Sequence, residues 1–120
     1  MTGQTVDSGP VRLERRWRQA AGTIGALGIA AGAFGAHALG EHPRIDTWKT
    51  AALYQVFHAI VLVVPALPIA TRILFASGVV LFSGSLYGLV LLDQSWLGVV
   101  TPLGGLSFIA GWIWLGWSKQ

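Results

Sequence analysis

Four long apolar runs separated by short polar breaks set the pattern of this chain. No charged residue occurs from Gln19 to Leu39. A helix needs about 20 apolar residues to cross a bilayer, so residues 17–39 read as a first span. The polar stretch GEHPRIDTWK (40–49) is a loop, and residues 47–67 form a second span closed by PALP (65–68). A very short turn carries Arg72; residues 73–92 are the third span, ended by Asp93. QSWLGVV (94–100) is apolar but short and interrupted by Gly98, which fits a segment lying along the membrane interface. Thr101 as a cap and Pro102 in the first turn then start a fourth span at 102–117. The pattern predicts an all-α protein, a compact four-helix transmembrane bundle over residues 17–118, preceded by a flexible basic leader at 1–16.

Composition supports a lipid environment. Hydrophobic residues make up 53% of the 120 residues and charged ones 11%, against about 25% charged in an ordinary soluble domain. There is no cysteine, which excludes disulfides, thiolate metal sites and thiol nucleophiles. The net charge of +3 would suit a nucleic-acid partner if it were spread over a surface. It is instead concentrated at span ends. Arg12, Arg15, Arg16, Arg18, Arg72 and Lys119 fall on one side of a four-span topology, Arg44 and Lys49 on the other. Basic flanks mark the cytoplasmic side, so both termini are expected there, in a bacterial inner membrane. The charge is thereby explained without nucleic acid. A signal peptide ending at AHA (36–38), or a twin-arginine signal at Arg15–Arg16, is a weaker reading: the apolar run is too long for the first, and the arginine pair lacks the usual surroundings of the second. Trp17, Trp48, Trp96, Trp112, Trp114 and Trp117 lie mostly near span ends, where indoles favour the headgroup region.

Helices in lipid associate by close packing and interhelical hydrogen bonds rather than by hydrophobic burial. Gly25, Gly28, Gly32 and Gly35 share one face of the first span and form a smooth groove. Gly84 and Gly88 repeat the spacing on the third, and Gly104, Gly111 and Gly116 lie on the fourth. Polar side chains within spans should turn inward. Thr50, Tyr54 and His58 are four apart on the second span with Gln55 beside them; Ser83, Ser85 and Tyr87 lie on the third; His37 closes the first. The expectation is a buried polar group of these eight residues. Within it, Tyr54, His58, Ser83 and Tyr87 bond to one another, and His37 is tied to the following loop or the second span.

Chemistry beyond packing finds little support. His37 and His58 differ in expected depth by roughly 13 Å at 1.5 Å per residue, whereas two axial ligands of one metal sit about 4 Å apart. No haem, metal or other cofactor is therefore expected beyond lipid contacts. A catalytic Ser–His pair lacks an orienting carboxylate, since Asp46 and Asp93 lie in loops, so no catalytic residue is assigned. No soluble substrate is indicated. A proton or small-solute path along the His/Tyr/Ser group is the alternative to a structural role, and apart from Arg18 and Lys49 at span ends no Asp, Glu, Lys or Arg lies within a predicted span to serve it.

Four stretches together resemble one family. LGIAAGAFGAHAL (27–39), WKTAALYQVFHAIVL (48–62), LFSGSLYGLVL (81–91) and TPLGGLSFIAGWIWL (101–115) are similar to the blocks of the domain-of-unknown-function family 423. That family includes the transmembrane protein 256 group of eukaryotes. The match covers about residues 20–117 and places His37, Thr50, Tyr54, Gln55, His58 and the FSGSLY run (82–87) on its motifs. The resemblance implies a small integral membrane protein and carries no activity with it. With the glycine grooves and aromatic belt, it leads to an expected role as a structural or accessory subunit on a larger membrane complex, with lipids and other membrane subunits as partners.

Overall fold

A computed structural model describes residues 8–119. The part of the expected leader at residues 1–7 lies outside the described residues. α1 runs over Gly9–Ala38, α2 over Ile45–Leu62, α3 over Ile69–Gly78, α4 over Gly84–Leu92 and α5 over Thr101–Trp117. A π-helical turn, Val79–Ser83, joins α3 and α4 into one continuous rod, and a 3₁₀ turn, Ser95–Val99, leads into α5. No strand occurs among the described residues. The protein is all-α, a four-helix membrane bundle.

The ends of the elements follow local chemistry. Ser8 caps α1, its hydroxyl accepting from the Val11 amide at 3.4 Å, with Pro10 in the first turn. Residues 12–16 are therefore helical, and the start of the helix lies well before the expected span. Pro65 closes α2, because it supplies no amide and collides with the preceding turn. Ala66 and Asp93 adopt left-handed φ values of 61° and 53°, the latter reversing the chain after α4. Thr101 does not cap α5 as expected. It is the first helical residue, and its hydroxyl instead meets Ser85 Oγ at 2.6 Å.

α2 lies between α1 and the α3–α4 rod. The three long units Gly9–Ala38, Ile69–Leu92 and Ser95–Trp117 are long and apolar enough to cross a membrane unaided. α2 buries Trp48, Ala51, Ala52, Gln55, His58, Ala59 and Leu62 on one broad face. α1 packs on that face, while α3 packs on α5. A Cβ on Gly28 would collide with Val56, and one on Gly35 with the Trp48 indole. On the other side Gly78 receives Phe108, Gly111 receives Phe75, and Gly104 lies against the backbone of Phe82 in the π turn. Outside this interior the surface is the inverse of a water-soluble protein: Leu27, Ile29, Leu53, Ile60, Val80 and Leu106 are all exposed. Such a surface suits acyl chains.

Candidate functional site

The buried face of α2 is centred on Gln55, and this sets which polar groups point inward. Gln55 Nε2 donates to the Ile24 carbonyl of α1 at 2.9 Å, and its Oε1 accepts the Tyr87 hydroxyl of α4 at 2.6 Å. One amide thus joins three helices. Two turns away, Trp48 donates its indole N–H to the Ala31 carbonyl at 2.6 Å and packs its ring on Tyr87 at a centroid distance of 4.6 Å.

His58 occupies a second, separate network. Its Nδ1 lies 2.8 Å from the Tyr54 carbonyl, and its Nε2 lies 3.1 Å from the Trp112 indole nitrogen. A carbonyl can only accept and an indole N–H can only donate, so the proton sits on Nδ1 and the Nε2 lone pair is engaged. The ring stacks on Phe108 at a centroid distance of 3.7 Å and meets Phe75 edge-on at 4.9 Å. A second proton on Nε2 would face the Trp112 N–H donor to donor. This imidazole is held neutral by its partners.

The serines serve helix contacts. Ser83 Oγ donates to the Ala51 carbonyl at 2.7 Å, joining the π turn to α2. Ser85 bonds Thr101 and the Phe82 carbonyl.

The single cluster expected from sequence is therefore corrected. The side chains of Tyr54, Ser83 and Tyr87 bond neither to one another nor to the His58 ring, which meets only the Tyr54 backbone carbonyl; the four residues fall into three networks, because successive residues of the α2 face point to different neighbours. Thr50 is exposed, since it lies off the buried stripe. Tyr54 sits at the margin of the stripe and is 42% exposed. His37 is exposed as well, and no hydrogen bond to its ring occurs among the described residues. The reason is angular: His37 follows Gly35 by two residues, about 200° round the helix from the face that meets α2. Among the glycines, Gly25, Gly28, Gly32 and Gly35 all face α2, with Ala59, Gln55, Val56, Ala52 and Trp48 against them. Gly88 meets Leu97, but Gly84 has open space in place of a helix contact.

Sequence reasoning missed three residues. Trp112 and Trp48 were expected as interface anchors and instead hydrogen-bond within the bundle. Arg72 was expected in an exposed turn and is 2% exposed, in the first turn of α3. It donates through Nη2 to both Glu14 carboxylate oxygens at 2.8 and 3.0 Å and lies over the Trp17 ring. Glu14 also accepts the Ala66 amide at 3.4 Å. Glu14 precedes the apolar run that begins at Gln19, and the Arg72 guanidinium beside it holds its carboxyl below the usual range. At the opposite end Arg44 reaches Asp93 at 3.5 Å, an exposed pair of small energetic weight.

A bundle of this kind, with apolar helices outside and a hydrogen-bonded interior, defines a small polytopic membrane protein. The family model described as protein of unknown function DUF423 matches residues 31–105, and the chain belongs to that family. It is 43% identical over 107 residues to the UPF0382 membrane protein YwdK of Bacillus subtilis, covering 77% of this chain and 86% of that one. It is 39% identical over 100 residues to the UPF0382 inner membrane protein YgdD of Escherichia coli, covering 73% and 76%. A UPF0382 membrane protein of Schizosaccharomyces pombe is 36% identical over 111 residues, covering 80% and 93%. No solved structure matches the chain.

If Gln55 couples three helices, its bond to Tyr87 is measurable. In detergent unfolding, Gln55→Leu and Tyr87→Phe should each destabilise, and a double-mutant cycle should give a coupling of about 0.6 kcal/mol, at most about 1.7. A coupling of zero would remove Gln55 from that role.

Proposed function

We propose that this protein is a structural component of a bacterial cytoplasmic membrane that acts through its lipid-facing surface, as an accessory subunit on a larger membrane complex. It has no catalytic residue and no resident cofactor or metal. Both termini face the cytoplasm, the side on which Arg12, Arg15, Arg16, Arg18, Arg72 and Lys119 gather. The observation that carries this reading is the state of the interior. His58 has both ring nitrogens engaged, and Gln55, Ser83, Ser85 and Tyr87 are all bonded within the bundle. A solute or proton path needs polar groups free to meet water in turn, and these are committed to each other or to backbone carbonyls. The exposure of His37 on α1 and the engagement of both His58 ring nitrogens within the bundle likewise speak against a shared metal.

Two measurements test it. The protein in liposomes should leave proton and small-solute flux unchanged between pH 5 and 8; flux abolished by His58→Phe would establish transport instead. Native gels of mildly solubilised membranes should place the chain, at native expression, in a species much larger than its own 12.8 kDa. A lone monomer there would overturn the accessory role.

A further inference from the structure

On the lipid-facing side of α2, Leu53, Tyr54, Phe57, His58 and Trp112 enclose a groove of about 320 Å³. That volume lies at the lower end of small-molecule sites, which typically combine aromatic walls with very few polar groups. The polar inventory is short. Both nitrogens of His58 are engaged, and the Trp112 N–H is spent on His58. The Tyr54 hydroxyl has no hydrogen-bond partner among the described residues, although its ring packs 4.7 Å from Phe82 and 6.3 Å from His58. Among the described lining side chains the groove therefore presents one free polar group, the Tyr54 hydroxyl, whose O–H is an unused donor.

Depth decides what can satisfy that donor. Phe82 lies ten residues from the end of α4 at Leu92, or about 15 Å along the helix, which is near the middle of a hydrocarbon layer about 30 Å thick. Acyl chains carry no acceptor, and phospholipid ester oxygens remain at the interface. An unsatisfied hydroxyl in hydrocarbon costs several kcal/mol. The acceptor must come on a molecule that is itself dissolved in the apolar layer. Groove length decides between a protein segment and a small molecule. On α2 the lining extends only from Leu53 to His58, about 7.5 Å of rise, and α5 adds Trp112 alone. A docked helix engages several turns, whereas one planar ring fills this span.

We propose that the groove binds a planar, carbonyl-bearing lipophile of the isoprenoid-quinone class. Its ring lies among Tyr54, Phe57 and Trp112, one carbonyl oxygen accepts the Tyr54 hydroxyl, and its tail leaves over Leu53 into the acyl region. The inference concerns a small-molecule site and stands apart from any docking on a complex: a monomer on native gels sinks the docking and leaves this site untouched.

The test is thermal unfolding of the full chain in detergent, titrated with decylubiquinone and, in parallel, with decylbenzene, which has a ring and tail but no carbonyl. Decylubiquinone should raise the Tm saturably and decylbenzene should not. Tyr54→Phe should leave the unliganded Tm in place, since that hydroxyl has no internal partner, and raise the half-saturating concentration roughly fivefold to tenfold, the loss of one hydrogen bond. Leu53→Trp, which fills the groove, should abolish the shift. No shift, an equal shift from decylbenzene, or an unchanged half-saturation in Tyr54→Phe would each overturn the proposal. So would photocrosslinking from position 53 in native membranes to a second protein, which would show a polypeptide in the groove.

Discussion

Gly104→Ala should be the most damaging single methyl that can be added to this protein. A Cβ at Gly104 would meet the amide nitrogen, Cα and Cβ of Phe82. These are mostly backbone atoms, in a turn already distorted to π geometry at Val79–Ser83, so no rotamer change relieves the clash. α5 cannot slide away, because further along it Phe108 enters the space at Gly78 and Phe75 the space at Gly111. Overpacking of this kind costs about 1–3 kcal/mol, and Ser107, which donates to the Leu74 carbonyl at 2.6 Å, should be displaced with it. Gly116→Ala is the matched control: nothing lies within 4 Å of a Cβ there. It should be neutral or gain up to ~1 kcal/mol from the lower flexibility of alanine in a helix. Unfolding of both variants in the same detergent gives the comparison. Equal stabilities would show that α5 and the π turn are not in the close contact described.

How much of this was legible in the sequence depends on the kind of signal. Helix number and the glycine face of α1 were readable, because lipid forces backbone bonds inside each helix and close approach selects glycine at regular intervals. The π turn was not readable. Nothing in VVLFS departs from an ordinary apolar helix, and its position is set by Gly104 and by the bond from Ser83 to Ala51, both contacts distant in sequence. The polar group was read as to membership but not as to wiring. Residues three or four apart on α2 share a side, yet Gln55 turns to α1 and α4 while His58 turns to α5. Periodicity places a residue on a face; only the neighbours determine its partner. Trp112 shows this most clearly. Its position near the end of the chain suggested a headgroup anchor, and its indole instead fixes the tautomer of His58.

The three polar networks and the groove have one physical origin. α2 carries Trp48, Gln55 and His58 on its buried face, and α1, the α3–α4 rod and α5 each take up one or two of the helix's donors and acceptors. The outer stripe of α2 stays uncovered, and Tyr54 emerges at its margin beside Trp112 of α5. The free hydroxyl and the concavity beside it are the uncovered remainder of the same central helix.

Glu14→Gln should cost far more than Arg72→Met, although both remove the same ion pair. Arg72 has only 3% of its side chain exposed, whereas Glu14 has 43%. Neutralising Glu14 leaves a guanidinium buried with no anion beside it, the arrangement that makes broken buried pairs so unfavourable. Removing Arg72 leaves a carboxylate that can turn to water and an apolar side chain in an apolar place. The double variant Glu14→Gln/Arg72→Met should therefore recover most of the stability lost in Glu14→Gln alone. Acid provides an independent measure. The folded-state pKa of Glu14 is depressed by Arg72, so the stabilisation is fully present above the ordinary value of 4.5 and is lost as the pH falls through the lower folded value. Wild type should lose detergent stability below about pH 4.5 more steeply than Glu14→Gln. Parallel pH profiles, or a double variant no better than Glu14→Gln, would show that Arg72 finds its counter-charge elsewhere.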